Sequence, residues 1–125
     1  MSVYERIIKE IHCGMVFYTP VQSKPFKVKS VNADRVVFLA RKTNIEVSIQ
    51  CWNGIPDFLK NKGWVLIGAK HIVTANLDEG TLEKYLRKCT KSKSKHSQGS
   101  YVAPLLEHLK IVKVKHTKPS AVKLI

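Results

Sequence analysis

Apolar positions at the start of the chain recur at the spacing of one helix face. Val3, Ile7, Ile8 and Ile11 fall on one side of such a helix, and the charged residues between them fall largely on the other. Gly14 follows, and glycine often ends helices because it adopts left-handed backbone conformations without strain. The pattern predicts a short amphipathic helix before residue 14.

Between residues 15 and 49 the pattern changes to the short runs and two-residue alternation of β-strands. Phe26 and Val28 alternate with lysines, for example, and the runs are separated by breaks that contain proline, asparagine or aspartate. Four strands are predicted, at residues 15–18, 26–30, 35–40 and 45–49. Their short links favour an antiparallel meander.

A second helix is predicted over residues 53–63, with Asn53 as its N-cap, and a fifth strand over residues 64–67. Trp52 and Trp64 flank this helix. Both are interpreted as core residues, because tryptophan side chains are highly buried on average.

The clearest helices lie in the last third of the chain. Thr81 is of a type that caps helices, and Leu82, Tyr85, Leu86 and Cys89 then fall on one helix face. The same apolar spacing recurs between residues 100 and 109. The intervening sequence KSKSKHSQGS, at residues 91–100, is polar and basic, and we predict that it is a mobile loop. Two strands, at residues 111–115 and 121–125, are predicted to form a hairpin.

These elements predict a single α+β domain over residues 1–125. Residues 1–77 supply the first helix and the meander, and residues 78–125 supply a helix, a loop, a helix and a β-hairpin. The chain has the usual length of one domain, and its 44% apolar and 25% charged residues are typical of a globular protein with a core.

The charge is less ordinary than the composition. The formal net charge is +13, of which residues 1–83 contribute +3 and residues 84–125 contribute +10, with Glu107 as the only acid in the second segment. Such asymmetry favours a polyanionic partner, and nucleic acid is the most common one.

The last 45 residues resemble the second and third helices and the wing of a winged-helix DNA-binding domain. The segments that carry the resemblance are TLEKYLRKC, SYVAPLLEHL and IVKVKHTKPSAVKLI, about a third of the chain. The first helix of that family would come from residues 55–62. The resemblance implies that the helix at residues 100–110 enters the major groove of duplex DNA, with its polar side, including Ser100, toward the DNA.

Candidate nucleic-acid-binding residues follow from charge and from this resemblance. The helix at residues 81–89 has a basic face, the loop adds three lysines, and the hairpin has alternating lysines. Each set has a second interpretation: a solvated helix face, a soluble connector, and a hairpin edge that lysines protect from aggregation. Tyr101 is either a stacking platform for a base or a partly buried side chain. The candidates are Lys84, Arg87, Lys88, Lys91, Lys93, Lys95, Ser100, Tyr101, Lys113, Lys115, Lys118 and Lys123.

Basic residues also occur in the meander, and each is interpreted as ordinary solvated surface. They are Lys24, Lys27, Lys29, Arg41 and Lys42.

Three cysteines, Cys13, Cys51 and Cys89, are odd in number and form no C-x-x-C pair, so reduced thiols and a cytoplasmic location are predicted. The amino terminus does not resemble a signal peptide, and no apolar run is long enough to span a membrane. The five histidines are scattered and no glycine-rich phosphate loop occurs, so no metal, cofactor or catalytic activity is expected.

The sequence therefore predicts a non-enzymatic protein that binds nucleic acid, with duplex DNA favoured over RNA. A protein-interaction or substrate-recognition module with a basic anchoring tail is the alternative from a different class.

Overall fold

The computed structural model describes residues 2–68, 80–90 and 98–125. It has the α+β class predicted from the sequence. In chain order the described elements are α1 (Val3–Glu10), β1 (Val16–Tyr18), β2 (Pro25–Val31), β3 (Arg35–Ala40), β4 (Thr43–Ser48), α2 (Ile49–Leu59), β5 (Val65–Leu66), α3 (Leu82–Thr90), α4 (Gly99–His108), β6 (Val112–Lys115) and β7 (Ala121–Leu124).

The first helix forms where the apolar spacing predicts it. The Ser2 hydroxyl accepts a hydrogen bond from the Glu5 N–H at 3.1 Å and caps the helix start. Tyr4 and Ile7 are buried, but Ile8 is exposed, although the sequence places it on the apolar side. The buried face of α1 is therefore narrower than the apolar face predicted from the sequence, because only part of the apolar side contacts the core.

The first sheet is the predicted antiparallel meander, with strand order β1-β2-β3-β4. Alternate residues such as Phe17, Phe26 and Phe38 point inward and are buried. An irregularity between Val28 and Ser30 shifts the register of β2 against β3. The other side of the sheet faces away from the core.

The second helix begins earlier than predicted, at Ile49 rather than Asn53. It follows β4 directly, so the end of the predicted fourth strand belongs to the helix. The Asn53 side chain has a different role, because its Oδ1 accepts the Tyr4 N–H at 2.9 Å and ties α1 to α2. Trp52 is buried as predicted, and its indole N–H donates to the Val47 carbonyl at 3.1 Å.

The second sheet has the strand order β5-β7-β6, and the predicted hairpin of β6 and β7 is its larger part. Strand β5 pairs antiparallel with β7, through Val65 with Val122 and Leu66 with Ala121. Trp64, predicted to lie in the core, is 51% exposed. Among the described residues, one buried apolar cluster includes side chains from both sheets and from all four helices.

A buried carboxylate connects α3 to the start of α4. Glu83 Oε1 accepts the N–H groups of Gln98 and Gly99, both at 2.8 Å, and Glu83 Oε2 lies 3.0 Å from Arg87 Nε. The charge lies at the positive end of the α4 dipole, where it satisfies N–H groups that have no partner within the helix. A Cβ added to Gly99 would come 2.8 Å from the Ile67 side chain, so this close approach requires glycine.

The prediction of reduced thiols is wrong for two of the three cysteines. Cys51 of α2 and Cys89 of α3 form a disulfide, with a Cα–Cα distance of 5.7 Å. Only Cys13 is free, and it is exposed. The odd count and the separation of 38 residues gave no sign of the pair, because packing of α2 against α3 brings the two cysteines together.

Candidate nucleic-acid interface

The helix that the winged-helix resemblance places in a major groove is largely covered in this structure. Residues Val102, Ala103, Pro104, Leu105 and Leu106 of α4 are buried. The first sheet packs against the same helix. This packing leaves little of α4 exposed for base contacts.

Tyr101 belongs to the aromatic core and not to an exposed platform. Its ring meets Phe26 edge-on, with centroids 4.9 Å apart, and its centroid lies 6.5 Å from that of Phe38. Burial is the main cause that raises the pKa of the Tyr101 hydroxyl. Ser100 is half-buried beside it. Of the two interpretations of Tyr101, the structure supports the partly buried one.

The basic face predicted on α3 is incomplete. Arg87 is 4% exposed and paired with Glu83, so its guanidinium is not available to a phosphate. Lys88 is exposed and Lys84 is half-buried. The sequence does contain the signal for the buried pair, since Glu83 and Arg87 are four residues apart.

The loop candidates Lys91, Lys93 and Lys95 lie outside the described residues. They stay a prediction from the sequence.

The hairpin candidates, in contrast, share one exposed surface. Lys113 and Lys115 alternate along β6, and Lys113 is the direct cross-strand partner of Lys123 on β7. All three side chains are exposed. No acidic residue occurs in β5, β6 or β7. Lys118 is also exposed, in the turn between β6 and β7.

Two exposed apolar residues complete this surface: Trp64, which was predicted to lie in the core, and Leu66. Trp64 and Leu66 are exposed on either side of the buried Val65, so they point away from the core. Leu66 pairs with Ala121, the partner of Lys115, and the same register continued by one residue places Trp64 beside Lys123. We call Trp64, Leu66, Lys113, Lys115 and Lys123 the lysine face. The pairing of β5 with β7 is what brings Trp64 and Leu66 beside the three lysines.

The turn of the hairpin contacts α4 and the loop between β1 and β2 through His116. His116 Nε2 lies 2.8 Å from Glu107 Oε2, and His116 Nδ1 lies 3.1 Å from the Pro20 carbonyl oxygen. The hydrogen bond to Glu107 is the main cause that raises the pKa of His116 above its usual value. The lysine face therefore adjoins the loop between β1 and β2.

The residues described contain no group of three or more His, Cys, Asp or Glu side chains arranged to hold a metal ion. Within the same residues, no helix is long and apolar enough to cross a membrane. Comparisons with known proteins find no protein-family model, curated protein or solved structure that matches this chain.

Proposed function

We propose that the protein binds nucleic acid without catalysing a reaction on it, and that the lysine face contacts the phosphates. The observation that carries the proposal is the direct pairing of Lys113 with Lys123 across two strands. Like charges directly opposite each other in a sheet destabilise it, so folding alone does not favour this pair. A phosphate bound between the two ammonium groups attracts both of them and so offsets their mutual repulsion.

Duplex DNA is the first ligand that we propose. The order α2, β5, α3, α4, β6, β7 supports a winged-helix-like arrangement, with α2 in the place expected for its first helix and the hairpin as its wing. Since α4 is covered, contacts come from the wing to the DNA backbone. Phosphate contacts position a protein on a duplex and carry no direct sequence information. We therefore expect weak discrimination between DNA sequences.

The first prediction tests this surface through the salt dependence of binding. The K113Q/K123Q variant removes two phosphate contacts, so the log–log slope of affinity against salt should become shallower by about 1.8 on B-DNA. If the variant and the unchanged protein bind equally near 1 M salt, this difference in slope corresponds to a loss of affinity of up to about 60-fold at 0.1 M salt. Fluorescence anisotropy with a labelled duplex, over a series of salt concentrations, measures both quantities. The stability of the variant should not fall, because a repulsive pair is removed.

The matched control is K9Q/K60Q, which removes two exposed lysines from the ends of α1 and α2. It should retain the slope of the unchanged protein. Equal losses in both double variants would show that net charge, and not this surface, holds the duplex. Tighter binding to duplex RNA than to duplex DNA would favour the RNA alternative, and a flat salt response would overturn the proposal.

A further inference from the structure

The outward side of the first sheet is a second surface with both exposed apolar and basic side chains. Register pairs Val16 with Lys27, Lys27 with Leu39 and Leu39 with Asn44, so these residues form one row across the four strands. Tyr18 lies on the same side as Val16, because the buried Phe17 separates them. Tyr18 is 57% exposed and Val16 53% exposed.

Basic side chains are concentrated at one end of this sheet. The turns between β1 and β2 and between β3 and β4 lie at the same end, because the strands are antiparallel, and they present Lys24, Arg41 and Lys42. Lys27 lies near this end. Lys29 extends along the surface, where its ammonium is 3.3 Å from the Asn44 side-chain oxygen, a neutral partner.

The acids of the sheet lie at the opposite end and are already paired. Arg35 is 3.1 Å from Asp34 and 3.2 Å from Glu46. The hydrogen bond from Arg35 lowers the pKa of Asp34. The four basic residues at and near the other end, Lys24, Lys27, Arg41 and Lys42, have no acid beside them within the sheet, so this end attracts anions.

The backbone at Arg41 is also unusual. Arg41 is the first residue of a two-residue hairpin turn and has a φ of +56°, in the left-handed region. Hairpin turns usually place glycine or asparagine at such positions, because other side chains are strained there. The chain tolerates this strain and places a guanidinium at the end of the sheet.

We propose that this surface, the tyrosine face (Val16, Tyr18, Lys27 and Lys29), binds a single-stranded segment of nucleic acid. An unpaired base stacks on the Tyr18 ring, next to Val16, and the strand's phosphates lie along the lysines. Closed duplexes do not offer base faces for stacking, whereas single strands do. The inference rests on the proposed function and adds a second site with a different form of the ligand.

The experiment compares Y18L with Y18F, using a labelled 15-residue oligothymidylate and a labelled 15-base-pair duplex in anisotropy titrations. Y18L should lose about 5- to 150-fold in affinity for the oligothymidylate, which is the range measured for removal of one stacking aromatic. Y18F retains the ring and should bind like the unchanged protein. Neither variant should alter duplex binding, and K27Q/K29Q should weaken oligothymidylate binding with a shallower salt slope.

Unchanged oligothymidylate binding in Y18L, or equal losses in Y18L and Y18F, would overturn the stacking site. Equal competition by poly-glutamate would also overturn it, because an acidic polypeptide has no bases to stack. A protein that binds the duplex but not the oligothymidylate would disprove this inference and leave the proposed function intact. A protein that binds neither would disprove both.

Discussion

Two Arg–Glu pairs with the same four-residue spacing show how burial changes the consequence of a contact. Arg6 and Glu10 lie 3.1 Å apart on α1 with partly exposed side chains, whereas Glu83 and Arg87 lie 3.0 Å apart on α3 with both side chains buried. Solvent screens the first pair, so it contributes little. The second pair also holds the start of α4, so its loss affects two helices.

The second prediction follows from this contrast. E83Q should lower the free energy of unfolding by about 3–5 kcal/mol, because it removes one partner of a buried charge pair. E10Q, the matched exposed variant, should lower it by less than about 1 kcal/mol. Urea denaturation followed by circular dichroism measures both. If E83Q unfolds at the same urea concentration as E10Q, the buried pair does not anchor α4.

The third prediction concerns the pH dependence of the His116 contact. Because Glu107 raises the pKa of His116 above 6.5, the contact stabilises the fold fully below about pH 6.5 and loses this contribution as the pH rises through the folded pKa. The pair is exposed, so the effect should stay below about 1 kcal/mol. Thermal denaturation of the unchanged protein and of H116Q should therefore differ more at about pH 6 than at about pH 8. An equal difference at both pH values would contradict the assigned protonation.

At the scale of the elements, α4 shows that the order of elements along the chain does not by itself decide which helix is available to a ligand. Its position after α3 and before the hairpin matches the winged-helix order, yet the first sheet covers the helix through Phe26 and Phe38. Buried residues surround most of this helix, so only a short polar strip that includes Glu107 and His108 stays exposed. The basic wing stays exposed, because nothing among the described elements packs on its lysines. The interface that we propose therefore lies on strands.

At the scale of the whole molecule, His116 and Pro20 connect the hairpin that carries the lysine face to the β1–β2 loop at the end of the sheet that carries the tyrosine face. One ligand that spans both gains affinity, because the second contact becomes intramolecular. The fourth prediction is that a duplex with a single-stranded extension binds more than about 10-fold tighter than either part alone. Anisotropy competition among the three ligands measures this gain, and Y18L should abolish it. A tailed duplex that binds no tighter than the plain duplex would contradict simultaneous use of the surfaces.

Local patterns in the sequence determined most of the secondary structure. Short apolar runs and two-residue alternation marked the four strands of the meander, and helical spacing marked α1, α3 and α4, because these patterns reflect the geometry of single elements. Thr81 was identified as a cap, and its hydroxyl accepts the Lys84 N–H at 3.2 Å. The start of α2 was missed, since Ser48 and Ile49 continue the alternation of β4.

The tertiary structure alone decided which surfaces are exposed. Periodicity shows that one side of an element is apolar, but it does not show which neighbour covers the other side. For that reason Arg87 was predicted to be exposed but is buried, and Trp64 was predicted to be buried but is exposed. The sequence also gave no sign of the bond between Cys51 and Cys89. Trp64 and Leu66 join the lysine face through the pairing of β5 with β7, whose residues are more than 50 positions apart, and no local pattern encodes that pairing.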